Sequence, residues 1–394
     1  MTKSEVANFI RSRYPKALGI RKKLQSIKIK RLKLHYLNNK EIEICEKCPD
    51  RKEEVISPYL EKWKTYLKPT IKEMEEYLTK APGYQGREDI EKIRTDILFC
   101  RLAYGFIPSE YISFKLEHKS PQERRKYMSD VNTLVFGYSV NDIKELQSII
   151  DKGQSYKQFA KYFKRDAVVV HKEKDFTAFH TFVQNHPVFV QKRTNSAMGH
   201  NIDLVDIRTI KESEHEYFNK LIRIQKHLLE ERVVQHEDMS VLNASSVNTV
   251  RCMTFYSKDG VVIPYCFLKA GRNGSFVDNA GSGGIVVGVI PETGVCGTDG
   301  FTEYGERFVA HPESGIVFKG FQIPKWNEMI ELCKTIALEH PDTKYLSFDM
   351  AYTDKGWLVI EVNGIGQFII PQIVWQRGIK EEVNRYLVDM EKVV

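Results

Sequence analysis

The chain has 394 residues, 42% of them hydrophobic and 28% charged, with a net charge of +7. That length exceeds one ordinary hydrophobic core and the apolar content is ample, so two or three globular domains are expected and a disordered or fibrous chain is excluded. No apolar run is long enough to span a bilayer, the N-terminus lacks the apolar stretch of a secretory signal, and the seven cysteines are odd in number and mostly scattered through apolar runs, which predicts reduced thiols in a cytoplasmic protein.

Residues 1–40 hold twelve Lys or Arg against Glu5 alone, a balance of +11 that leaves −4 for the remainder. Ile20, Leu24, Ile27, Leu34 and Leu37 mark one helical face among these cations. Such a segment suits a peripheral contact with an anionic membrane or glycan, and it suits equally a solvated helix packed on its own domain. Residues 1–145 read as a basic, mostly helical accessory domain, with helical stretches from Ile56 to Leu78 and from Ile90 to Tyr104. Cys45-Glu-Lys-Cys48 has metal-like spacing but no second pair or nearby His, so no zinc site is expected there.

From Ala167 the texture turns to short β-rich runs: Ala167 to Val170, Val188 to Gln191 and Ile202 to Ile207, then a helix-like piece from Lys211 to Leu229. Lys192 ends the second run and opens a loop of small and polar residues reaching Gly199. Backbone N–H groups in such a loop can cradle phosphate beside the lysine charge, although an ordinary strand exit has the same texture.

Longer strands follow Asn248. Thr249 to Tyr256 turns at 257–260 into Val261 to Lys269, which brings Lys269 back near Asn248. Alternation puts Thr249, Arg251, Met253 and Phe255 on one face, so Arg251 and Lys269 are either two fixed cations for phosphoryl chemistry or parts of surface ion pairs. Residues Gly271 to Gly284 hold five glycines in fourteen positions, a flap over a ligand or a pair of tight turns. A helix from Trp326 to Glu339 precedes a hairpin, Tyr345 to Tyr352 and Trp357 to Asn363, and a helix from Glu381 to Met390 closes the chain. If Tyr352 and Leu358 flank the turn, Asp349 lies opposite Glu361, on the face that carries Val359 and Asn363. Two carboxylates and an amide oxygen on one face suit hard Mg²⁺; a hairpin with a polar face in water is the plainer alternative.

Taken together, Ser246-Val-Asn-Thr-Val-Arg251, Val277-Asp-Asn-Ala-Gly-Ser-Gly-Gly284, His311-Pro-Glu-Ser-Gly-Ile-Val-Phe-Lys-Gly-Phe-Gln-Ile-Pro324, Phe348-Asp349 and Ile360-Glu-Val-Asn363 resemble the ATP-grasp superfamily, and more narrowly the sugar-transfer-associated ATP-grasp family. The likeness runs from about residue 100 to 380. It implies an α+β, ATP-grasp fold whose lid subdomain spans 146–236 and whose large subdomain, with the metal site, spans 237–394. ATP and Mg²⁺ are the implied cofactors, with the metal on Asp349, Glu361 and Asn363. The phosphates are expected on Lys192, with Ser196 and Gly199 of its loop, and on Lys157, a role for which Lys152 competes. Glu230 and Val233 are the expected adenine contacts and Glu237 the ribose contact. Arg251, Lys269 and Asn248 are the expected catalytic residues, and Arg272, Asp278, Asn279 and Gly283 the flap residues.

The chemistry so implied is ATP-dependent carboxylate–amine ligation through an acyl phosphate. The partners would be a small-molecule or glycan carboxylate, here a uronic acid, and an amino acid, in surface or capsular polysaccharide assembly. No nucleic-acid partner is expected. Two alternatives stand beside it: a kinase of a sugar or lipid-linked glycan, and a non-catalytic anion- or membrane-binding protein organised by residues 1–40. After Glu361-Val-Asn363 the chain continues Gly-Ile-Gly-Gln-Phe, where many ATP-grasp ligases place a Pro-Gly turn, a departure that bears on the acceptor pocket more than on the metal.

Overall fold

Residues 26–32, 36–195, 202–278, 281, 283–366 and 368–391 are described by the structure, a computed structural model. Their strands form two antiparallel sheets. The smaller comprises β1 (Ala167–Val170), β2 (Val188–Arg193), β3 (Ile202–Asp206) and β4 (His227–Glu231), in the order β1-β4-β2-β3. One face buries Val170, Phe189 and Leu229 against Phe179, Phe182, Phe218 and Leu221 of the helices Phe176–Asn185 and Glu214–Ile224. The second helix starts at a capping box, in which Ser213 Oγ accepts from Glu216 N–H and the Glu216 carboxylate accepts from Ser213 N–H.

This helix ends at Ile224, so the helical reading from Lys211 to Leu229 is corrected: its last part is strand β4. Lying between β1 and β2, β4 is buried along most of its length. A strand buried on both faces shows no alternation, and so it reads as a continuation of the helix before it.

The larger sheet has the order β11-β10-β5-β6-β7-β8-β9, from β5 (Thr249–Ser257), β6 (Gly260–Ala270), β7 (Ile285–Val289), β8 (Cys296–Phe301), β9 (Arg307–Phe308), β10 (Tyr345–Thr353) and β11 (Gly356–Asn363). On one face Val250, Cys252, Leu268, Phe348 and Met350 pack on Met329, Cys333 and Ile336 of the helix Trp326–Glu339. On the other, Met253, Phe255, Tyr265 and Tyr345 share a cluster with the N-terminal helices and with residues of the C-terminal helices Ile369–Trp375 and Lys380–Glu391. The N-terminal region is therefore built into the core of the large sheet rather than appended to it.

Within that region the expected long helix divides at Trp63 into Lys52–Lys62 and Lys64–Lys80, while Ile90–Tyr104 forms as expected and stops at Gly105 in the left-handed conformation, φ 82°. Asp96 is buried there with Arg124 at 2.7 Å, Lys52 at 2.7 Å and the Tyr111 hydroxyl donating to it, so its charge is paired several times over. Of the basic amphipathic face, Ile20, Leu24 and Leu34 lie outside the described residues; Ile27 is exposed and Leu37 buried. Six cysteines are buried, Cys48 is exposed, and none is bridged. Among the described residues, no helix is long and apolar enough to cross a membrane.

Candidate active site

The β10–β11 hairpin fixes the site. Asp349 is the cross-strand partner of Glu361, as the sequence suggests, but the turn pairs Tyr352 with Trp357 and not with Leu358. A β-bulge at Ile360 makes up the one-residue difference. The extra residue also breaks the alternation: Val359 joins Val362, Phe348 and Met350 in the core, whereas simple counting puts it beside Glu361.

Asp349 pairs next with Arg251 of β5, and Arg251 with Phe267 of β6, over whose ring its guanidinium sits at 5.9 Å. Arg251 Nε donates to Asp349 Oδ1 at 2.6 Å and Nη2 to Oδ2 at 2.5 Å, while Lys269 Nζ lies 3.1 Å from the same carboxylate and 3.7 Å from Asp278. Lys152 Nζ meets Glu361 Oε1 at 2.5 Å. Burial alone would raise the pKa of Asp349, but Arg251 and Lys269 outweigh it and hold the group well below the usual carboxylate range. Burial opposes Lys152 in the same way at Glu361, and the net shift is again downward. Asp278 goes the other way: burial dominates and raises it, although Thr249 donates to it from N–H at 2.9 Å and from Oγ1.

Of these groups Lys152, Thr249, Lys269, Asp278, Asp349 and Glu361 line a cavity of about 370 Å³ between the two sheets, and Arg251 reaches it only through Asp349. From the small sheet, Val190, Lys192, Ile202, Leu204 and Glu230 face it; the segment Glu231 to Gln235 forms one side, and Phe276 to Asp278 of the glycine-rich segment another. Five cations (Lys152, Arg165, Lys192, Arg232, Lys269) and five carboxylates (Glu230, Glu231, Asp278, Asp349, Glu361) share the walls. Lys152, Lys192 and Lys269 each rest on one of these carboxylates. A metal–polyphosphate can therefore enter by exchange of partners, with lysines passing to phosphate oxygens and carboxylates to the cation.

Several expected residues lie elsewhere. Lys157 is exposed on the helix Lys152–Phe163 and away from the cavity wall; Lys152, its competitor, is in the wall. Asn248 is fully buried and spends its amide on the chain: Nδ2 donates to Met239 O, Asn243 O and Gln235 Oε1 at 2.8–3.1 Å, which fixes the loop before β5 and leaves nothing for substrate. Glu230 is no free adenine reader. Arg165 Nη2 donates to its Oε1 at 2.5 Å and Lys192 pairs with its Oε2; burial would raise its pKa, but these two cations bring it down to about 2. Val233 does line the cavity, whereas Glu237 is exposed outside it. Arg272 clasps the glycine-rich segment, donating to Gly283 O at 2.5 Å, and neither residue reaches the cavity wall. Ser196, Gly199 and Asn279 lie outside the described residues. Arg165 gives no advance signal, because its partners Glu230, Val359 and Ile360 sit on segments remote in sequence.

The donor set fits a hard cation. Asp349 and Glu361 face each other across neighbouring strands, both are held ionised, and Glu361 keeps a partly exposed side chain on the cavity. Asn363 follows two residues along β11, opposite Ser347, but is not among the residues of the cavity wall; its buried Nδ2, a donor and not a metal ligand, has no partner among the described residues.

A cleft held between a small sheet and a larger antiparallel sheet, with lysines and carboxylates facing each other across it, is the ATP-grasp arrangement, and ATP-grasp proteins use ATP, typically with Mg²⁺. The profile of the sugar-transfer associated ATP-grasp family matches residues 132–386, and the chain belongs to that family. Comparison with curated proteins finds no match. Among solved structures, similarity extends to D-alanyl-alanine synthetase A of Vibrio cholerae (9% identity, TM-score 0.39, 62% of this chain and 66% of that one). It extends also to the phosphoribosylamine–glycine ligase of Thermotoga maritima (12%, TM-score 0.40, 64% and 57%) and to the ATP-grasp ligase PsnB in complex with its minimal precursor (11%, TM-score 0.39, 68% and 70%). The match spans just under two thirds of the Vibrio chain.

Proposed function

We propose that the protein joins a carboxylate to an amine at the expense of ATP. The carboxylate is that of a uronic acid, the amine that of an amino acid, and the setting is surface or capsular polysaccharide assembly. The observation that carries this reading is the opposition of Asp349 and Glu361 in the wall of a cavity that takes Lys192 from the small sheet and Lys269 from the large one.

A substrate carboxylate oxygen attacks the γ-phosphorus of ATP, giving an acyl phosphate and ADP. The amine then attacks the acyl carbon, the C–O bond to phosphate breaks, inorganic phosphate leaves, and the amine proton passes to solvent. Mg²⁺ held by Asp349 and Glu361, with Asn363 beside them, would supply charge neutralisation at the phosphate oxygens. Lys192 of β2 and Lys152 at the start of the helix Lys152–Phe163 hold the phosphates, Lys269 offsets charge developing near Asp349, and Arg251 keeps that carboxylate ionised and oriented. The family's association with sugar transfer supports the glycan acid.

The test is ADP release over a matrix of sugar acids and amino acids. ADP release that needs both a carboxylate and an amine supports ligation; release with a carboxylate-free sugar alone overturns it in favour of a kinase. Glu361→Gln is expected to lower kcat by about a hundredfold or more while the protein stays folded by circular dichroism, and near-normal turnover would remove Glu361 from the site.

A further inference from the structure

Arg165 lies between the two sheets, its side chain 3% exposed. Nη2 donates to Glu230 Oε1 on β4 at 2.5 Å, and the same guanidinium donates to two consecutive carbonyls of β11, Val359 O from Nη1 at 2.6 Å and Ile360 O from Nη2 at 3.0 Å. In a regular strand consecutive carbonyls point to opposite sides. β11 is the edge of the large sheet, and across its bulge at Ile360 both carbonyls reach one donor, Arg165, which satisfies them. The other Glu230 oxygen holds Lys192. A continuous chain thus runs from the backbone immediately before Glu361, through Arg165 and Glu230, to Lys192 on the lid.

We propose that Arg165 is a positioning residue that sets the lid's phosphate lysine, Lys192, in register with the metal carboxylate Glu361. The inference rests on the nucleotide reading of the cavity. Arg165 lines the cavity, but its guanidinium is taken up by Glu230 and the two β11 carbonyls; it fixes the span between a cation from one sheet and an anion from the other, so its effect falls on the polyphosphate and not on the nucleoside. A planar fork with several donors can serve a carboxylate and two carbonyls at once, which an ammonium on a flexible stem cannot.

The experiment measures binding of ATP and of adenosine, both with Mg²⁺, to the full chain by calorimetry, for the native protein, Arg165→Lys, Arg165→Met, Glu230→Gln and the Arg165→Met/Glu230→Gln double variant. ATP affinity should fall about ten- to a hundredfold in each single variant while adenosine affinity stays within about twofold. The double variant should lose no more than the worse single one, because both act through one chain. Glu230→Gln leaves the Arg165 bonds to Val359 and Ile360 in place, so it gives an answer even if Arg165→Met does not fold. Equal losses for ATP and adenosine, unchanged ATP binding, or additive losses would overturn the proposal. If the native protein itself binds no ATP, the nucleotide reading of the cavity fails, a result distinct from those three.

Discussion

Lys152 and Lys157 lie five residues apart at the start of one helix, and the sequence offers no reason to prefer either. The geometry separates them. Lys152 is the first residue of the helix, its N–H donating to Thr194 O of the lid and its ammonium resting on Glu361, whereas Lys157 is more than a turn further on and exposed. If phosphate binding proceeds by exchange of the Lys152–Glu361 pair, Lys152→Ala should raise KM for ATP about tenfold or more and Lys157→Ala should leave it within about twofold. Steady-state ADP kinetics on the two variants decides this; equal effects would remove the distinction. Asn248 teaches the converse. Its motif neighbours Thr249 and Ser246 do reach the cavity, yet the amide itself is fully used in tying the loop, and its residue type alone could not separate a substrate ligand from a structural clasp.

At the level of elements, legibility tracked periodicity. β5, β6 and β10 alternate, the β5–β6 turn falls where expected, and Arg251 and Asp349 are cross-strand partners on the face the pattern predicts. β4 was illegible because it is buried on both sides, and with it went the role of Glu230, which holds Lys192 rather than reading adenine. The bulge at Ile360 was hidden for a different reason: the turn is one residue shorter than simple pairing assumes, and the two departures cancel at Asp349 and Glu361. Deleting Ile360 should therefore regularise the ladder, keeping Met350 opposite Val359 and Asp349 opposite Glu361, while taking one carbonyl from Arg165. The expected product is a folded protein by circular dichroism with ATP affinity about tenfold lower. Ile360→Ala, which trims the side chain but keeps the bulge, serves as the control and should bind ATP nearly as the native protein does. Loss of the hairpin on deletion, or equal ATP binding in deletion and control, would contradict the account of the bulge.

Across the whole molecule, the cavity is a store of buried ion pairs that spans two sheets, and its pH response follows from that. Glu230, Asp349 and Glu361 all have folded pKa values below their unfolded ones, Glu230 at about 2. A depressed carboxylate lends stability that is fully present above the unfolded value, about 4.3 for Glu, and is lost as pH falls through the folded one. Asp278, raised by burial, works in the opposite sense and recovers stability as it protonates. Within the cavity, three groups against one make acid destabilising, over a window from about pH 4.5 down toward the folded value of Glu230. The sheets are joined at Glu230 through Arg165 and at Glu361 through Lys152, so protonation severs the links between them before it reaches their separate apolar cores. Thermal unfolding followed from pH 7 to pH 3 should show the midpoint flat to about pH 4.5 and then falling. In Glu230→Gln, which cannot be protonated at that position, the midpoint should start lower at pH 7 and fall less steeply below pH 4.5. Parallel curves for the two proteins would mean that Glu230 carries no charge-linked stability, and that the lid is held to the large sheet by something other than its buried ion pairs.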